Sequence, residues 1–197
     1  MHIFVPREGK AGERRVAIVP DVIAKYLRAG FTVAVEGGAG VHALADDESL
    51  RSAGATIVSA SEISKADVVL SVNPLTAEQF SQLKNGAITI SFLSPNQSLD
   101  SISASAKAGA TSFSLELVPR ISRAQSMDAL TSQALCAGYR AALVAAELAP
   151  RFFPLLMTAA GTVTPANVVV LGAGVAGLQA IATARRLGAV VDRKSTR

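Results

Sequence analysis

The sequence predicts an α/β chain made of two doubly wound parallel-sheet domains, the second of them incomplete. Three observations carry this. Short apolar runs alternate with helical patterns, the signature of parallel strands joined by crossover helices. A glycine triplet around residue 172 falls between a strand-like run and a helix-like run. After that triplet only one helix and the beginning of one further strand follow within the 197 residues.

"HIFVP" reads as a first strand, and "PDVIAKYLRAG" as a helix, with proline at its start, glycine at its end and Val22, Ile23, Tyr26 and Leu27 at helical spacing. "FTVAVE" is a strand, "GGAG" a turn and "DDESLRSAG" an acidic helical segment. Strands "ATIV" and "DVVLSV", helix "TAEQFSQLK", strand "AITISF", helix "LDSISASAKAG" and strand "TSFSLEL" continue the pattern. A long helical segment is expected from about Ser126 to Ala149; a "GTVTPA" turn, strand "NVVVL", helix "VAGLQAIATARRLG" and a short strand "AVV" follow. The expected division is 1–125 for the first domain, 126–150 for a connecting helix, 151–191 for the start of the second domain, and 192–197 for a tail.

Composition excludes several classes of function. Hydrophobic residues make up 50% of the chain and charged ones 17%, so it folds rather than staying disordered. The formal charge of +4 is divided between the last six residues and a thin scatter elsewhere, with no basic stripe or interleaved aromatics. No nucleic-acid partner is expected. The single cysteine, Cys136, allows no intrachain disulfide and reads as a small buried residue. His2 and His42 lack ligand spacing, so no metal site is expected. The N-terminus has no apolar core of a secretory signal. Residues 152–184 carry no charge, but Pro154, Pro165, Asn167 and four glycines divide them, which favours a buried strand and helix over a membrane span.

Two segments bear chemistry. In "VVVLGAGVAGLQ", Gly172, Gly174 and Gly177 stand in G-x-G-x-x-G spacing after a strand and at the opening of a helix, the context that turns a weak motif into a dinucleotide fingerprint. Gly172 allows the tight turn, Gly174 the approach of a pyrophosphate and Gly177 close helix packing, so the fold is expected to be Rossmann-like. The acid that would hold the adenosine ribose, counted about 20 residues on, points at Asp192. That leaves the second strand only "AVV" and sets the acid too early for a strand end. The other segment, "PRISRAQSMDA" at 119–129, gathers Arg120, Arg123, Gln125 and Asp128 with Ser122 and Ser126 between them. Taken alone it is a solvated loop; beside a phosphate turn its donors and acceptors become positioning groups.

Together, "GERRVAIVPDVI", "EGGAGV", "VPRISRAQSMDALTSQ", "AGYRAA", "FFPLLMTAAGTV" and "LGAGVAGLQAIATARRLGAVV" resemble the NAD(H)-binding domain of the alpha subunit of proton-translocating NAD(P) transhydrogenase, in the alanine dehydrogenase/transhydrogenase superfamily. The resemblance spans residues 1 to about 191. It implies a component of an enzyme that passes hydride directly between NADH and NADP+, coupled to proton translocation by other domains. Its partners would be NADP(H)-binding and membrane domains or a membrane subunit and, as a homodimer, a second copy; its place would be cytoplasmic, peripheral to the inner membrane.

By the same resemblance, Arg120, Ile121, Ser122, Arg123, Gln125, Ser126, Met127, Asp128 and Thr131 contact NAD(H), with Arg120, Gln125 and Asp128 positioning the hydride. Gly172, Gly174, Val175, Ala176 and Gly177 hold the pyrophosphate. Thr131 stands where the family usually has serine, and the family's ribose acid aligns with Ser195. The chain thus looks truncated, with a foreign tail at 192–197, and is expected to be inactive alone.

Alanine dehydrogenases share the architecture but need an acid or base for the proton that accompanies hydride. They carry a lysine in the segment matching "LSVNPL" and a histidine in that matching "SFLSPN", where this chain has Asn73 and Ser94. Transfer between two nicotinamides requires only orientation. Transhydrogenase is therefore favoured, and Arg15, which could bind a substrate carboxylate in the sister family, is expected to be structural or a relic here. An alanine dehydrogenase-like enzyme, a cofactor-binding module without catalysis and a structural or regulatory α/β module that keeps the phosphate turn remain as alternatives.

Overall fold

The computed structural model describes residues 1–194 and divides into two compact units, Met1–Ile121 and Ser122 onward. The first holds β1 (His2–Val5), α1 (Pro20–Arg28), β2 (Thr32–Glu36), α2 (Asp47–Ser52), β3 (Thr56–Val58), β4 (Val68–Leu70), α3 (Ala77–Gln82), β5 (Ile88–Ser91), α4 (Leu99–Lys107) and β6 (Thr111–Ser114). All six strands are parallel in the order β3-β2-β1-β4-β5-β6, so the chain reverses its direction of winding beside β1.

Strand alternation builds two cores, one on each face of this sheet. Ile3 and Val5 of β1, Val33 and Val35 of β2 and Val68 of β4 pack with Ile23 of α1 and Leu50 of α2. Phe4, Ala34 and Val69 face the other way, against Ile63, Leu75 and Phe80 of α3. Local chemistry sets the helix ends. Pro20 opens α1, which closes before Gly30 at φ +81°. Asp46 caps α2 through the Ser49 amide at 2.8 Å, and Thr76 with Gln79 forms a reciprocal capping box on α3.

The second unit holds α5 (Ala129–Leu148), β7 (Leu156–Thr158), β8 (Gly161–Val163), β9 (Asn167–Leu171), α6 (Val175–Arg186) and β10 (Val190–Lys194). Strands β9 and β10 pair in parallel, β7 and β8 form an antiparallel hairpin, and α5 packs along α6. A small core of Ala142, Phe153, Ala166, Ala184 and Ala189 holds it together.

Several elements depart from expectation. The strand "DVVLSV" stops at Leu70 because a carboxylate of the first unit draws the amides of Val72 and Asn73 aside, and "TSFSLEL" turns into a 3-10 turn at Leu115–Leu117. The long helix begins at Ala129, three residues later than expected, since Asp128 caps it. "GTVTPA" is a turn only at its end: Gly161–Val163 is a strand, and Thr158 tightens the hairpin by donating to the Gly161 carbonyl at 3.0 Å. The short strand "AVV" runs on through Asp192, Arg193 and Lys194, as an edge strand needs ladder bonds but no apolar side chains. Cys136 is exposed rather than buried, because the buried stripe of α5 passes through Gly138 and Ala142.

Candidate functional site

Gly172 follows β9 with φ +100°, a backbone that side chains rarely adopt, and its N–H donates to the Lys194 carbonyl at 2.9 Å. Gly174 caps α6 without any side-chain hydrogen bond. The first intrahelical bond runs from the Leu178 N–H to the Gly174 carbonyl at 2.8 Å, which leaves the amides of Val175, Ala176 and Gly177 without intrahelical partners. No heavy atom would meet a Cβ at Gly172 or Gly174. At Gly177 a Cβ would come 2.2 Å from the Gly172 carbonyl oxygen. The turn thus presents open amides at the positive end of a 12-residue helix, and glycine is needed where the turn folds back on the helix. These groups fit a pyrophosphate: donors, a dipole and space.

The loop that precedes α5 belongs mostly to this same unit. Ser122–Met127 forms a 3-10 turn in which Ala124 is buried while Ser122, Arg123, Gln125, Ser126 and Met127 are exposed. Arg120 and Ile121, also exposed, fall in the first unit, so the boundary between the units runs through the segment. Asp128 is the N-cap of α5. It accepts from the Thr131 amide at 2.9 Å and from the Thr131 hydroxyl at 2.6 Å, which gives the threonine a structural role beside its expected one.

Asp192 sits within β10, opposite Val169, two residues before the last described position of the strand. Its carboxylate accepts from the Arg193 amide at 2.8 Å and pairs with Lys194 at 3.5 Å, an exposed arrangement. Ser195 lies outside the described residues. Sequence reasoning missed Gly138, where a Cβ would lie 2.1 Å from the Ala176 carbonyl oxygen and 2.9 Å from its Cα. A glycine inside a helix costs about 1 kcal/mol relative to alanine, and that penalty was the available signal.

In the first unit, a cavity of about 530 Å³ opens at the carboxyl ends of β1 and β4, lined by Arg7, Lys10, Asn73, Ser94 and Ser98 among others. Its wall is occupied by its own polar groups. Glu8 accepts from the Val72 amide at 2.6 Å, the Asn73 amide at 3.1 Å and the Asn73 side chain at 2.9 Å. Asn73 also donates to Glu13 at 3.0 Å, and Arg15 lays its guanidinium on Glu13 through two bonds of 2.7 and 2.6 Å. The Arg15 hydrogen bond is the main cause that lowers the Glu13 pKa to about 2. Ser94 adopts φ +46°, held there by Glu116, which accepts from the Leu93 and Ser94 amides at 3.0 and 2.5 Å. Neither Asn73 nor Ser94 is a proton carrier. Among the described residues no group of three or more histidine, cysteine, aspartate or glutamate side chains is placed to hold a metal ion, and no helix is long and apolar enough to cross a membrane.

The family model described as the alanine dehydrogenase/PNT N-terminal domain matches residues 4–137, and that for the corresponding C-terminal domain matches 141–197. A relative from Rhodospirillum rubrum, named as the first part of NAD(P) transhydrogenase subunit alpha, is 52% identical over 97% of this chain and 52% of its own length. An alanine dehydrogenase of Mycobacterium tuberculosis is 34% identical over 97% of this chain and 52% of its own. The crystal structure of transhydrogenase from Sinorhizobium meliloti superposes with a TM-score of 0.97 at 47% identity, covering all of this chain and 59% of that one. The chain thus spans about half the length of the curated relatives it matches.

Proposed function

The chain belongs to the alanine dehydrogenase/PNT family, and on that premise we propose that it is the NAD(H)-binding part of a transhydrogenase that passes hydride directly between NADH and NADP+. The carrying observation is the open glycine turn: three amides of α6 without helical partners, in the same unit as the Ser122–Asp128 loop. The turn binds the pyrophosphate through Gly174, Val175, Ala176 and Gly177. The loop, with Arg120 and Ile121 before it, orients the nicotinamide; Gln125 and the Asp128 carboxylate, whose geometry Thr131 fixes, hold the ring and its ribose. The bound cofactor supplies the hydride. No proton needs to move with it, so these groups have only to orient and exclude water.

The sister chemistry, reductive amination of a keto acid, is disfavoured by the same structure. Asn73 and Ser94 replace the proton carriers, and the Arg15 guanidinium is bound to Glu13. NADP(H) sits on a partner domain, proton coupling lies in membrane domains outside this chain, and the site is cytoplasmic. Calorimetric titration with NADH tests cofactor binding; an absence of heat at millimolar NADH would overturn it. Hydride exchange between NADH and an NADP+ analogue, with the NADP(H)-binding partner added, tests the reaction. These 197 residues are expected to give no turnover alone, and turnover without further chain would contradict that.

A further inference from the structure

Helix α5 joins the two halves of the dinucleotide site within the second unit. Its first turn is tied to the loop, since Asp128 caps it through Thr131 and the preceding 3-10 turn ends at Met127. Farther along the helix, Gly138 is seated against the first turn of α6. A Cβ there would lie 2.1 Å from the Ala176 carbonyl oxygen, 2.8 Å from its carbonyl carbon and 2.9 Å from its Cα. All three are backbone atoms, so no side chain can swing aside to make room. Gly138 and Ala142 are the buried residues of α5.

We propose that Gly138 is a positioning residue, and that α5 is a spacer fixing the separation of the nicotinamide loop from the pyrophosphate turn. At 1.5 Å per residue the helix sets about 15 Å between the Asp128 cap and the Gly138 seat. A helix holds such a length rigidly because each added residue is locked by a hydrogen bond. A bulkier residue at 138 displaces Val175 and Ala176, whose amides face the phosphates, and tilts the loop at the other end of the same rod. The inference rests on the reading of this unit as an NAD(H) site, and its effect is felt most by a ligand that touches both ends.

The test compares Gly138→Ala with Phe153→Leu, a change in the small core of the second unit, which includes no residue of the turn or the loop. NADH and ADP-ribose, which has the pyrophosphate but no nicotinamide, are titrated into each protein, and thermal midpoints are recorded. Gly138→Ala should weaken NADH by about ten-fold or more and ADP-ribose by less, whereas Phe153→Leu lowers the midpoint and leaves both affinities unchanged. A Gly138→Ala protein that loses thermal stability but binds NADH as before would show a merely structural glycine and overturn the proposal.

Amide spectra of the ligand-free chain separate this failure from that of the site itself. The substitution should move the resonances of Val175 to Gly177 and of Ser122 to Asp128 together. Shifts confined to residues beside 138 would sink the spacer even if NADH binds. Should Gly138→Ala fail to fold, Ala142→Gly, which removes the side chain of the other buried residue of α5 and adds no bulk, loosens the rod against α6 and is expected to weaken NADH several-fold; unchanged affinity there would overturn the proposal. A wild-type chain that binds no NADH while the two sets of resonances still move together would remove the cofactor reading and leave the mechanical coupling standing.

Discussion

Each unit contains a parallel strand that leads into a crossover, and the two treat the end of that strand in opposite ways. After β9 the chain turns within three residues on glycines and leaves backbone amides of α6 without helical partners. After β1 it travels through a 14-residue loop, 6–19, before α1, and that loop is held by carboxylates: Glu36 accepts from the Arg7 amide at 2.8 Å, Glu8 from three donors of the β4 end, and Glu13 from Arg15 and Asn73. The scaffold offers a strand-end crevice in each unit, and the side chains beside it decide how its donors are met. In one the acids of the protein itself satisfy the donors. In the other no side chain caps the helix, and the amides of Val175, Ala176 and Gly177 have no intrahelical partner.

The largest expected effect attacks the open turn. Gly177→Ala puts a methyl group 2.2 Å from the Gly172 carbonyl oxygen and should weaken NADH on the order of 100-fold in a calorimetric titration, with the first unit unaffected. Acidification attacks the closed one. The Glu13 pKa is depressed to about 2, so its contribution is complete above the ordinary carboxylate value of about 4.5 and disappears as pH falls toward 2. Discounted for solvent screening, the first unit should lose on the order of 2 kcal/mol across that window, read by urea melts at successive pH values, and Glu13→Gln should flatten the dependence. Glu8→Gln, which leaves one acceptor for three donors, is expected to cost about 1.5 kcal/mol of stability while NADH affinity stays unchanged. A fall in affinity would mean that the two crevices are coupled. Smallest is Gln125→Ala, expected in a complete subunit to slow hydride transfer about five-fold without moving the thermal midpoint; a lowered midpoint with normal transfer would make the loop structural.

Much of this was legible in the sequence, for physical reasons that differ by element. Strands β1, β2, β4, β5 and β9 are apolar runs suited to a parallel sheet, and the glycine turn is marked by Gly172 at positive φ and Gly177 packed against it. The carboxylate network was not legible, since Glu8 and Glu13 meet Asn73 across a separation of at least 60 residues. The β7–β8 hairpin escaped because its residues are almost all exposed and carry no alternation. Strand β10 extends through charged residues that read as a tail. Gly138 fell inside a helical pattern, and its meaning depends wholly on α6 approaching it.

The exposure of Cys136 has a practical consequence. It is the chain's only thiol and stands on α5 two residues before the Gly138 seat, on the side turned away from the buried stripe. A maleimide dye or a nitroxide would therefore attach at one known point without any prior mutagenesis. Such a label would convert small tilts of this helix on ligand addition into an optical or magnetic signal.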